Sequence, residues 1–217
     1  MKTMRDVKIA AARIVGAVCL TLGVFAPELA SADDERAVMS MGFAMGARDY
    51  GGTSLLVDEG ERVVQLGDGM WTQSGLRYDA TFESPIDVLG GALWTRATFG
   101  LDLLFGTSQG LGCGSLGECA QPDGVAGVNS MVVRGGMGVA LGEEVSVFGD
   151  MLGSLNMLDA RVFGDQPGKG VATRFDFSAR LGMRLPLNDY SGLQLAGEIG
   201  VFGAPGFTGE VAFIFGW

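Results

Sequence analysis

Histidine is absent from the 217 residues, which removes the commonest general base and the usual zinc ligand from any chemistry this chain could perform. A Ser-His or Cys-His nucleophile goes with it. Carboxylates remain for acid–base work. The best-spaced pair is Asp79 with Glu83, which share one face of an extended strand and could in principle act as glycosidase carboxylates do. Arginines are scattered at matching positions, so ion pairing is the expected state of both. Cys113 and Cys119 bracket the stretch Cys-Gly-Ser-Leu-Gly-Glu-Cys. Two close cysteines in an exported chain point to a disulfide, whereas a metal would want further thiol or imidazole ligands nearby. Asp58, Glu59, Glu61 and Asp68 crowd another stretch. Their oxygens suit calcium or magnesium, but they lack the ordered spacing of an EF-hand loop. No catalytic residue, cofactor or metal site is therefore expected.

The placement of the other charges is more informative than their reactivity. Eight stretches alternate with period two, the signature of strands: residues 38–48, 70–83, 89–105, 130–141, 145–157, 170–185, 193–202 and 207–217. In 38–48, for example, Met39, Met41, Phe43 and Met45 oppose Ser40, Gly42, Ala44, Gly46 and Arg48. Seven arginines, Arg48, Arg77, Arg96, Arg134, Arg174, Arg180 and Arg184, and seven acids, Asp79, Glu83, Asp102, Asp150, Asp176, Glu198 and Glu210, lie within these stretches. Every one falls on the less apolar parity of its own stretch. A Lys or Arg on the lipid face at mid-bilayer costs about 2–4 kcal/mol, so a barrel in lipid would enforce this sorting. A soluble half-exposed sheet would sort charges too, but outward, leaving Met, Phe, Leu and Val to fill the interior.

The connections decide between these inversions. Residues 49–69, 106–129, 158–169 and 203–206 form one set of connections, and the shorter 84–88, 142–144 and 186–192 form the other. Three of the first four exceed every member of the second set. Long loops on one side and short turns on the other match an outer-membrane barrel with periplasmic turns. The last stretch ends on Phe213, Phe215 and Trp217, an apolar edge that a soluble sheet would leave prone to aggregation and that a closed barrel in lipid resolves.

Lys2, Arg5, Lys8 and Arg13 precede an apolar run over residues 14–26 and the small-residue site Ala30-Ser31-Ala32. This is the anatomy of a signal peptide, residues 1–32, cleaved before Asp33, since the run is too short for a spanning helix. Its removal takes four basic side chains from 15 and two acidic ones, Asp6 and Glu28, from 25, leaving residues 33–217 as one barrel domain at a net charge of −12. Such acidity excludes a nucleic-acid partner, which would need a basic footprint.

Taken together, residues 36–217 resemble the small eight-stranded outer-membrane barrels of the OmpA/OmpX type. The resemblance implies an all-β fold, an eight-stranded antiparallel up-and-down transmembrane β-barrel after a cleavable signal peptide. It also implies residence in a Gram-negative outer membrane, contact with its lipid and lipopolysaccharide, and reading of Phe213, Phe215 and Trp217 by the barrel-assembly machinery. Members with a peptidoglycan-binding domain continue past the barrel, whereas this sequence stops at Trp217, so a cell-wall tether is not expected. An eight-stranded lumen is just wide enough for side chains to fill it, so the fourteen charges are expected to form a plug. The role implied is structural, or one of surface interaction through the long loops. The alternatives are a narrow or gated small-solute channel in the same fold and a soluble exported lipocalin-like binding barrel.

Overall fold

A computed structural model describes residues 35–57, 62–67, 69–86, 93–106, 125–142, 145–162 and 168–216. The regular elements among them are all strands: β1 (Arg36–Asp49), β2 (Ser54–Val57), β3 (Arg62–Gln65), β4 (Met70–Ile86), β5 (Leu93–Gly106), β6 (Val125–Leu141), β7 (Ser146–Val162), β8 (Gly168–Asn188), β9 (Ser191–Phe202) and β10 (Gly206–Phe215). Eight of these form a closed antiparallel ring in the order β1-β4-β5-β6-β7-β8-β9-β10, with β10 pairing back onto β1. At that seam Phe43 lies opposite Val211 and Met39 opposite Phe215. Closure satisfies every strand's hydrogen-bonding edge within the ring, which is what lets strands cross a bilayer.

Alternation reads directly into burial. Met39, Met41, Phe43 and Met45 of β1 are exposed, while Ser40, Ala44 and Arg48 between them are buried. The four bulkiest fully buried side chains are arginines, Arg77, Arg96, Arg180 and Arg184. Apolar residues such as Met137, Leu181, Ile199 and Val211 point outward and are more than half exposed. A lipocalin-like barrel would bury its apolar parity around a ligand; here that parity is outside, as a transmembrane barrel in lipid requires.

Two departures from the sequence reading concern strand length and the first long connection. β6 begins at Val125 rather than residue 130, and β7 runs to Val162 rather than residue 157. Between Ala126 and Val128 the β6–β7 register slips at Gly127, whose φ of +80° is a conformation glycine adopts without strain. Val125 and Val128 are consequently both buried, so the alternation is broken there. The connection 49–69, read as a loop, contains the hairpin β2–β3. β2 pairs with the outer end of β8, through Leu56 opposite Val171 and Val57 opposite Gly170, where β8 outruns β9.

Candidate functional site in the barrel lumen

Side chains that face inward from all eight ring strands meet in the lumen, and they form three tiers. The central tier is built on Arg77 of β4. Its Nε and Nη2 donate to the two oxygens of Asp102 on β5 at 3.0 and 2.7 Å, and its other contacts reach Glu198 of β9 at 2.9 Å and Glu210 of β10 at 3.0 Å. Arg134 of β6 donates through Nε to Asp79 of β4 at 3.1 Å and lies 3.1 Å from Glu198. Arg180 of β8 bridges Asp79 and Glu210, each at 2.9 Å. Arg48 of β1 reaches Glu198 at 3.0 Å. Four guanidiniums thus face four carboxylates, and the tier is neutral.

Below it, toward the short turns, Arg96 lies 3.0 Å from Asp150 and 3.1 Å from Glu83, which Arg184 also engages. Phe148 presents its ring to this tier, with the guanidinium carbon of Arg96 4.0 Å from the ring centroid and those of Arg180 and Arg184 at 5.3 and 5.4 Å. Cations over a desolvated ring face are attracted by its quadrupole, so Phe148 separates three like charges while favouring each. Above the central tier, Arg174 donates to Asp176 at 2.9 Å and to Thr53 at 2.8 Å, and Asn156 donates to Asp176 at 2.7 Å. Arg174 is only partly buried, unlike the other thirteen.

Buried ions repay their desolvation only with good geometry and further hydrogen bonds. Here most carboxylates receive two or three guanidiniums, and amides complete the set: Gln194 donates to Glu210 at 2.8 Å and accepts from Arg184 at 3.1 Å. Room for these side chains comes from small inward residues. Gly100 of β5 lies between Asp79 and Arg134 in the register, and a Cβ there would strike the Asp79 carboxylate and come within 2.6 Å of Arg134 Nε. Asp79 and Glu83, the carboxylates best spaced for acid–base work, are each held by two arginines.

An apolar layer lies above the charges. Leu55 and Val57 of the β2–β3 hairpin, with Tyr50 and Leu66, pack against Trp71, Val125, Val128, Leu158, Ala160, Val162 and Ala204. Tyr50 donates to Gln73 at 2.6 Å, and Gln73 donates to the Val128 carbonyl at 2.7 Å, which ties this layer to the barrel wall. At the opposite end Trp94, Ala140 and Phe148 pack together. Sequence reasoning placed Trp94, Gln194 and Asn156 on the inward parity but missed Gln73 and Phe148; uncharged, these carry no signal beyond parity.

Phe213 and Phe215 face outward, about half exposed, opposite Met41 and Met39. Trp217, the signal peptide 1–32, Cys113 with Cys119, and the acidic cluster of Asp58, Glu59, Glu61 and Asp68 lie outside the described residues. Among the described residues no group of His, Cys, Asp or Glu has an arrangement suited to a metal ion.

Solved structures provide comparisons for this geometry. The chain is similar to Ail, the attachment invasion locus protein of Yersinia pestis, with a TM-score of 0.50 and 10% identity over 85% of this chain and 99% of that one. It is also similar to a major outer membrane protein from Thermus thermophilus, with a TM-score of 0.43 and 13% identity over 83% and 99% of the two chains. Neisserial surface protein A gives a TM-score of 0.39 and 11% identity over 82% and 96%. No protein-family model and no curated protein matches the sequence. The likeness to Ail is one of fold, and the fold of this chain is that of a small outer-membrane β-barrel.

Proposed function

We propose that this chain is an integral outer-membrane barrel that does not conduct solutes and is not an enzyme, and that it works through the loops it presents at the cell surface. The observation that carries this reading is the filling of the lumen. Three tiers of paired charges occupy the bore, and an apolar layer covers them at the loop end. Opening a path would strip carboxylates and guanidiniums of partners in a water-poor interior, which is costly. The outward parity supports the membrane location: its exposed residues are Met, Phe, Leu, Val and Ile. Lipid and lipopolysaccharide are then the immediate surroundings, and the long connections 50–69, which carries the β2–β3 hairpin, and 107–124 are the segments that meet a partner.

Two measurements test the reading. Purified barrel in planar bilayers should give a silent baseline; steady ion-sized openings would turn the assignment to a narrow channel. Fractionation should leave the protein in the outer membrane after alkaline carbonate extraction, with protease on intact cells cutting between residues 107 and 124. Release into the soluble fraction, or cutting only at the short turns, would overturn it.

A further inference from the structure

The turn end of the lumen contains a cavity of about 10 Å³, bordered by Arg36, Glu83, Trp94, Ser146 and Arg184 among others. Trp94 and Ser146 are each more than nine-tenths buried, yet among the described residues neither the indole Nε1–H nor the Ser146 hydroxyl has a hydrogen-bond partner. Buried donors left unpaired are rare and ask for an explanation. Charge points the same way. The carboxylate in the lining, Glu83, already lies 3.1 Å from Arg96 and is also engaged by Arg184. Arg36 sits opposite Glu83 in the β1–β4 register and lays its guanidinium carbon 3.9 Å from the Trp94 ring centroid. The neighbouring Glu35 does not line the cavity and accepts instead from the Ser84 hydroxyl at 3.5 Å. Among the described lumen side chains at this end, three arginines, Arg36, Arg96 and Arg184, therefore meet two carboxylates, Glu83 and Asp150. Counted over the described side chains, the central tier is neutral and this one carries an extra cation.

We propose that this pocket is a binding site for one small monatomic anion of the size of chloride, which accepts from Trp94 Nε1–H and Ser146 Oγ–H and is balanced by Arg36 and Arg184. A neutral water would satisfy the two donors but leave uncompensated the extra cation counted among the described side chains. An oxyanion such as phosphate or sulfate has several heavy atoms, for which a cavity of about 10 Å³ is small. The site is indifferent to whether the barrel conducts, because the anion sits beside the bore's wall as part of the plug.

The test uses the full barrel in detergent, its thermal midpoint read from heat-modifiable gel mobility in sodium chloride and in sodium gluconate at equal ionic strength. Gluconate is too large for the pocket. Wild type should show a midpoint that rises with chloride and saturates, and Trp94→Phe, which keeps the ring and removes the N–H, should lose that increment, as should Arg36→Gln. Crystals soaked in bromide should show an anomalous peak beside Trp94 Nε1. Equal midpoints in the two salts, an increment that survives both substitutions, or a bromide soak with only water in the cavity would each overturn the proposal. If Arg36→Gln fails to fold, the Trp94→Phe comparison and the bromide peak still decide.

Discussion

Replacing Arg77 by methionine tests whether the lumen is held by its charges or merely tolerates them. The guanidinium contacts Asp102, Glu198 and Glu210, but the three do not lose equally. Glu198 keeps Arg48 at 3.0 Å and Arg134 at 3.1 Å, and Glu210 keeps Arg180 at 2.9 Å. Among the described residues Asp102 keeps only Arg134 as a charged partner, at 3.4 Å, and it is fully buried. Removing one partner of a buried pair costs about 3–5 kcal/mol because it strands the other charge, and the stranded charge here is Asp102. Adding Asp102→Asn to the Arg77→Met background removes that charge, and most of the loss should return. The assay is urea unfolding of barrel refolded in lipid vesicles, followed by tryptophan fluorescence and by gel mobility, with the slope checked for constancy across variants. The reasoning fails if Arg77→Met stays within about 1 kcal/mol of wild type, the range of an exposed ion pair. It fails equally if the double variant is less stable than the single one.

Three further substitutions probe the two faces of the wall. Gly100→Ala should cost about 1–3 kcal/mol, the usual cost of overpacking, because the new methyl meets Asp79 and Arg134; Gly135→Ala on the outward face, where the nearest atom is a Phe99 ring carbon at 3.5 Å, should move the urea midpoint little, and the reverse order would contradict the assigned parity. Val211→Arg places a cation midway along β10, between Phe43 and Leu195. In vesicles it should lose about 2–4 kcal/mol; an unchanged unfolding midpoint there would mean that this face does not meet lipid.

The ring of strands was legible because one physical constraint repeats in every segment: charge cannot face lipid. The parity of Arg180 or Glu210 is decided within a few residues of its own strand. Pairing is not. Arg77 and Glu210 are 133 positions apart in sequence, and which carboxylate an arginine reaches depends on strand tilt and stagger, quantities that belong to the closed barrel. The ends of strands faded for a different reason. At Gly127 a bulge puts Val125 and Val128 on the same side, so the period-two pattern stops several residues before β6 does. The β2–β3 hairpin was missed because each strand has only four residues, too few for alternation to stand out, and Ser54-Leu55-Leu56-Val57 is as consistent with a buried turn as with an edge strand. Phe148 and Leu152, buried on the charged parity of β7, show the limit of the rule from the other side: lipid excludes charge from the outside, but nothing excludes a phenyl ring from the inside.

The layer formed by Leu55, Val57 and Leu66 over Val128 and Leu158 gives the molecule two stabilising regions governed by opposite solvents. The lumen is filled by ions paired with one another, whereas this layer is an ordinary oily core turned away from water. Its residues come from both the early and the late chain, Tyr50 and Ala204, so it joins segments far apart in sequence. Hydrophobic burial weakens on cooling, and urea weakens it as well. Cooling or urea is therefore expected to loosen the outer layer before the paired charges separate, which would make this end of the barrel a separately adjustable part.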